Sequence, residues 1–64
     1  MDKNVREQLE QRLLTVSRDL WHVALDIKKE LCPADLMAKN AVEILQSTSY
    51  IIDQCCEMIN PTEE

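Results

Sequence analysis

Apolar residues recur along the chain with the rhythm of an α-helix, and they do so in two separate series. The spacing within each series alternates mostly between three and four residues, which is the heptad pattern of one side of a helix packed on another. The first series is Val5, Leu9, Leu13, Val16, Leu20, Val23, Ile27 and Leu31, and the second is Met37, Ala41, Ile44, Thr48, Ile51, Cys55 and Met58. We expect these two seams to form the contact between two helices.

The pattern divides once, which predicts a single helical-hairpin domain over residues 1–64. We place one helix at about 4–30, a turn at 31–33, a second helix at about 34–59, and a short acidic tail at 60–64. Because the turn is short, the two helices must run antiparallel.

Residues at the expected ends support these boundaries. Asn4 followed by Glu7 resembles a capping box, and Pro33 suits the first position of a helix. Asp35 would then lie in the first turn, where a negative charge is favourable, and Asn60 with the proline after it makes a stop. The alternative is a break of the second helix near Ser47, which would give a third helix.

The apolar arc on each helix is wider than one opposing helix can cover. Beside the two seams lie six further apolar residues, which we expect to form a partner or dimer interface: Leu14, Trp21, Leu25, Leu45, Ile52 and Ile59. The predicted fold class is therefore all-α, a two-helix antiparallel hairpin that dimerises into a four-helix bundle. A different protein offering one or two helices would cover the same residues.

A free-energy balance also favours a partner. Ordering 64 residues costs about 96 kcal/mol at ~1.5 kcal/mol per residue. A compact globule of 7.4 kDa buries on the order of 6,500 Å², which returns about 97 kcal/mol if about 60% is apolar. Because the two figures cancel, the chain needs something beyond its own core.

Charge narrows the class of partner. The net charge is −5, and residues 32–64 carry all of it, with only Lys39 against six acids. Four residues on the outer side of the second helix form a predicted acidic docking strip: Glu43, Tyr50, Asp53 and Glu57. This distribution favours a basic protein partner and argues against nucleic acid, which needs clustered Lys and Arg.

Several functional classes lack their sequence signals. The chain has no glycine, which excludes a glycine-rich phosphate loop, and no nucleophile stands beside a base. Its three cysteines and single histidine do not have metal-ligand spacing, and no apolar run is long enough to span a membrane. We therefore expect no catalytic residue, no cofactor, no metal and no membrane segment, in a cytoplasmic protein that is not an enzyme.

Three resemblances supply alternatives. Val42-Glu43-Ile44-Leu45 and Ile51-Ile52-Asp53, after Cys32-Pro33-Ala34-Asp35, resemble the second helix of co-chaperones of type III secretion needle subunits. In size and layout the chain is similar to plasmid repressor-of-primer proteins, which implies a helical RNA-binding dimer. Ser49 and Asp53, four residues apart, resemble the Ser-x-x-x-Asp motif of the aspartyl-phosphate phosphatases of sporulation. Our main hypothesis is a small protein-binding regulator, adaptor or chaperone that acts through an apolar helical face and an acidic strip.

Overall fold

In a computed structural model, which describes residues 2–61, the chain forms two helices packed against each other. Helix α1 spans Asp2–Leu31 and helix α2 spans Leu36–Ile59. The all-α hairpin is confirmed, and residues 62–64 of the expected tail lie outside the described part. Helix α2 is continuous through Ser47, so the three-helix alternative is wrong. The Thr48 hydroxyl donates to the Ile44 carbonyl oxygen at 2.8 Å and thereby stays within the helix.

The helix ends differ from the predicted ones in their capping. Because α1 begins at Asp2, Asn4 lies inside the helix and the predicted capping box is wrong. Pro33 lies in the turn, after a cis peptide bond, and not at the first position of α2. Asp35 is instead the N-cap of α2, where its carboxylate accepts a hydrogen bond from the Ala38 backbone N–H at 3.0 Å. That side-chain acceptor explains why α2 starts after Asp35 and not before it.

Small residues line the contact between the two helices. We call six buried residues the inner contact: Ser17, Ala24, Ala38, Val42, Ser49 and Cys56. Ala24 is 0% exposed, whereas no large side chain among residues 2–61 is fully buried. Short side chains allow two helices to approach closely, because the distance between their axes is set by the side chains at the contact.

The predicted seams are therefore only in part the contact between the helices: six of their fifteen residues are half-buried and the other nine are exposed. Val5, Val16 and Val23 of the first seam are each about half exposed. Met37, Ile44, Ile51 and Met58 of the second seam are more than half exposed. The close approach of the small residues turns these seams outward, toward one side of the hairpin.

The hairpin is a rod and not a globule. It measures 50 × 16 × 16 Å, and its radius of gyration is 14.7 Å, against about 10.7 Å for a compact chain of this length. It exposes 5295 Å², where a compact monomer of this mass exposes about 4,200 Å². At ~25 cal/mol per Å² of apolar surface, with about 60% of the excess apolar, the missing burial is worth on the order of 15 kcal/mol. A typical domain has no more stability than that in total.

Candidate interaction surfaces

One side of the rod carries most of the exposed apolar surface. We call this side the apolar face, and its large side chains are 40–78% exposed. They are Val5, Leu9, Val16, Val23, Leu31, Met37, Ile44, Ile51 and Met58. A contiguous exposed surface of this kind is typical of an association site.

Both helices contribute to this apolar face. A shallow groove along it is lined by Leu9, Leu13 and Val16 of α1 together with Ile59 of α2, and Arg12 lies at its edge. Successive residues of an α-helix are rotated by 100° about its axis. This rotation puts the other members of the α1 and α2 seams on the same side of the hairpin as these residues. The half-buried residues at its floor are Leu13, Leu20, Ile27, Ala41, Leu45, Thr48, Ile52, Cys55 and Ile59. The apolar face therefore runs along most of the rod.

The opposite side has a different chemistry, and we call it the aromatic face. An open groove of about 450 Å³ lies between Leu14, Arg18 and Trp21 of α1 and Tyr50 and Asp53 of α2. Trp21 is 44% exposed and Tyr50 is 65% exposed. Its mixture of aromatic rings with a cation and a carboxylate is typical of protein contact surfaces.

Two serines and an aspartate form a hydrogen-bonded cluster at the floor of the aromatic face. The Ser17 hydroxyl donates to Asp53 Oδ1 at 2.8 Å and lies 2.7 Å from the Ser49 hydroxyl oxygen. The Ser49 hydroxyl in turn donates to the Ser17 carbonyl oxygen at 3.1 Å. Among the described residues, every buried side-chain nitrogen or oxygen has a hydrogen-bond partner. A satisfied polar cluster inside a helix pair fixes which residues stand opposite each other.

This cluster bears on the resemblance to the aspartyl-phosphate phosphatases. Their chemistry would require Ser49 and Asp53 to be accessible to a docked partner. Ser49 is 5% exposed, and both residues are engaged by Ser17. The arrangement is that of a structural cluster, and it offers no open Ser-x-x-x-Asp pair.

Hydrogen bonds also tie the open end of the hairpin together. Arg6 Nη1 donates to the Ile59 carbonyl oxygen at 2.7 Å, and Asn60 Nδ2 donates to Glu10 Oε1 at 3.0 Å. The Cys56 thiol points to the Glu10 carbonyl oxygen at 3.8 Å. Burial raises the pKa of the Cys56 thiol, and the carboxylates of Glu10 and Asp53 raise it further. Cys56 is therefore a structural residue held in its neutral form.

The six residues predicted as a partner interface do not form one surface. Leu14 and Trp21 line the groove of the aromatic face, and the helical step puts Leu25 beside them. Leu45, Ile52 and Ile59 lie half-buried at the floor of the apolar face. Their contribution to binding stays a prediction, but any one partner would meet only half of the set.

The predicted acidic strip is exposed along its length. Glu43, Tyr50, Asp53 and Glu57 are all exposed, on the α2 side of the aromatic face. Asp53 is held by the Ser17 hydroxyl. Glu43 lines a separate groove at the turn together with Lys28, Cys32 and Lys39. The strip is thus interrupted by bases near the turn, and the docking of a basic partner stays a prediction.

The residues that sequence reasoning missed are those of the inner contact. The sequence marks them by a repeat of seven residues. In the first helix the repeat is Glu10, Ser17 and Ala24, and in the second it is Val42, Ser49 and Cys56. The repeat is invisible to a scan for large apolar residues, because its members are small or polar.

The chain matches no protein-family model, no curated protein and no solved structure. Within residues 2–61 neither helix is long and apolar enough to cross a membrane. In the same range, no group of three or more His, Cys, Asp or Glu residues could hold a metal ion. The surfaces of the hairpin therefore have to carry the functional argument.

Proposed function

We propose that this protein works by binding protein, as a small helical regulator, adaptor or chaperone, and that the apolar face is its main contact. The observation that carries this proposal is the exposure of large aliphatic and methionine side chains along one side of a rod in which, among residues 2–61, no large side chain is fully buried. A hairpin of this kind gains its missing burial by packing against other helices.

The aromatic face and the acidic strip supply a second contact in this proposal. Trp21 and Tyr50 are large, half-exposed or exposed rings, and such residues are enriched at the energetic centres of protein interfaces. Glu43 and Asp53 beside them favour a basic segment of a partner by charge. Because this face lies opposite the apolar face, both can be occupied at once, as an adaptor requires.

The experiment compares two adjacent substitutions that project about 100° apart on α2, one toward each face. Ile51→Asp places a charge in the apolar face, whereas Tyr50→Asp places the same charge on the aromatic face at a residue of similar exposure. We expect light scattering to show that the wild type and Tyr50→Asp are associated at micromolar concentration and that Ile51→Asp is not. Burying an unpaired carboxylate twice in a symmetric contact costs several kcal/mol, which is enough to disrupt it.

Circular dichroism of the same three proteins gives the second readout. We expect Ile51→Asp to lose its cooperative melt, because the hairpin alone lacks a core. If the wild type is a monomer of 7.4 kDa with a cooperative melt that Ile51→Asp leaves unchanged, the apolar face is not a binding surface and the proposal fails.

A further inference from the structure

The exposed seam of α2 is nearly a mirror image about its central residue, Thr48. Read outward in both directions, the seam pairs isoleucine with isoleucine, a small residue with a small residue, and methionine with methionine. The pairs are Ile44 with Ile51, Ala41 with Cys55, and Met37 with Met58. Exposure follows the same symmetry, at 64% and 55% for the isoleucines and 78% and 77% for the methionines. Such a seam presents one series of side chains in either direction, which suits antiparallel pairing with its own copy.

The seam of α1 has a centre of its own, at position 18. Its members form pairs that lie at equal distances on either side of position 18, so the two residue numbers of each pair add to 36. The pairs are Val5 with Leu31, Leu9 with Ile27, Leu13 with Val23, and Val16 with Leu20. Every one of these pairs joins two aliphatic residues. An antiparallel copy of α1 centred at position 18 would therefore meet only apolar partners along its seam.

The two centres stand at the same height in the hairpin. Ser17 meets Ser49 and Glu10 meets Cys56, and in both contacts the two residue numbers add to 66. Positions 18 and 48 also add to 66, so they are level with each other. One two-fold axis perpendicular to the rod can therefore serve both helices.

We propose that the apolar face is covered by a second copy of this chain, packed about a two-fold axis that crosses the rod at the level of Arg18 and Thr48. In this dimer α1 packs on α1 and α2 packs on α2 of the copy, both antiparallel, and the two turns lie at opposite ends. This dimer rests on the proposed function, and it identifies the binding partner as a second copy of the chain. The aromatic face stays outside the bundle.

The excess exposure of the hairpin is as large as the area that one partner buries in a stable dimer. The hairpin exposes about 1,100 Å² more than a compact monomer of its mass. Standard protein interfaces bury about 800 Å² per partner, and those of obligate dimers bury more. A contact that buried this excess would bring the chain to the exposure of an ordinary compact protein.

The margins of the apolar face are compatible with a second copy. On α2 the margin consists of Asn40, Ser47 and Gln54, which are uncharged, so no like charges meet there. On α1, the proposed axis would bring Arg12 near the copy's Asp26 twice and Asp19 near its own copy once, so the attractive pairs outnumber the repulsive one. Because the two turns lie at opposite ends of the dimer, the lysines near each turn lie close to the acidic open end of the copy. Salt screens this attraction.

The test introduces a cysteine on the proposed axis. Thr48→Cys, in a background of Cys32→Ser and Cys55→Ser, would face its own copy across the axis within the ~7 Å between Cα atoms that a disulfide requires. We expect mild oxidation to convert most of this variant to a covalent dimer joined at position 48. Tyr50→Cys in the same background is the control, and we expect it to stay largely uncrosslinked. Cys56 is kept, because it is buried in the inner contact.

A second variant guards against a local effect of the first. Ala41→Cys with native Cys55, in Cys32→Ser, should form a disulfide between position 41 and Cys55 of the copy, identified by peptide mapping. If both variants are dimers by light scattering and neither crosslinks above the Tyr50→Cys control, the arrangement with turns at opposite ends is overturned while protein binding stands. That result would indicate turns at the same end, where Thr48 faces Leu20 of the copy. A monomeric wild type at 7.4 kDa overturns the self-association itself.

Discussion

The inner contact and the apolar face belong to the same two helices, but their side chains differ in size and in exposure. The inner contact is narrow, lined by small residues, and centred on a satisfied polar cluster of Ser17, Ser49 and Asp53. The apolar face is wide, lined by large aliphatic and methionine side chains, and exposed. The inner contact therefore sets the register of the two helices, and we propose that the missing stability comes from covering the apolar face. Small and polar residues line the contact between the two helices, whereas the large residues stay exposed in the hairpin.

Ala24→Leu tests the inner contact where it is tightest and should have the largest effect. Ala24 is 0% exposed, so a leucine there must push the two helices apart. We expect a loss of about 3 kcal/mol or more in the free energy of unfolding, at the upper end for overpacking. Urea unfolding monitored by circular dichroism measures it. The matched control is Ala34→Leu in the exposed turn, and equal losses in both variants would mean that the contact is not tight.

The serine cluster should contribute less, and its two members should not act independently. Ser17→Ala removes the hydrogen bonds to Asp53 and Ser49 and should cost about 1–2 kcal/mol. Ser49→Ala should cost about 1 kcal/mol. Because the two hydroxyls contact each other, the double variant should lose less than the sum of the single losses. A double-mutant cycle by urea unfolding that is strictly additive would show that the cluster does not couple the helices.

The raised pKa of Cys56 gives a pH test of the inner contact. Because its pKa in the folded state lies above the ordinary value of 9.0, the stability it contributes is present below pH 9 and is lost as the pH rises through the folded pKa. We expect the wild type to lose more stability than Cys56→Ala between pH 8 and pH 10.5. At pH 8, iodoacetamide should also label Cys32 and Cys55 before Cys56, as mass spectrometry would show. Labelling of Cys56 first, with parallel pH curves, would place that thiol outside the inner contact.

Association through the apolar face should change the surroundings of Trp21 very little, so this residue distinguishes the two faces. It is the only tryptophan, so its fluorescence reports on the aromatic face alone. If association uses the apolar face, acrylamide should quench Trp21 equally well at dilute and at concentrated protein. Quenching that falls as the protein associates would indicate a dimer formed through Leu14, Trp21 and Leu25, as the sequence pattern alone had suggested.

The helical periodicity was sufficient to predict the hairpin and, to within one residue, where each helix ends, whereas each helix start differs from the predicted one by two residues. The seam was misplaced because a scan by hydrophobicity gives no weight to Ser17, Ala24 and Ser49, although small residues are what lets two helices meet closely. The start of α2 was misplaced because Pro33 and Asp35 are both strong signals for a helix start, and the Asp35 carboxylate caps the helix in this chain.

The expectation of an uncovered apolar surface needed no structure, because both arcs are too wide for one opposing helix. The sequence pattern did not show which apolar residues of each helix would stay exposed. The two stripes on each helix are similar in hydrophobicity, and only the packing decides which one faces inward. The small-residue repeat at Ser17 and Ala24, and at Val42, Ser49 and Cys56, is the signal that distinguishes them.

The most direct test of the central claim, that the apolar face needs a second layer, is the melting temperature of the wild-type protein over a thousandfold dilution. A dimer that folds as it associates must melt at a lower temperature when diluted, because mass action favours separated, unfolded chains. We therefore expect the melting temperature by circular dichroism to fall steadily with dilution, and the mass by light scattering to be twice 7.4 kDa before melting begins. A cooperative melt at one constant temperature, with a mass of 7.4 kDa throughout, would contradict the account.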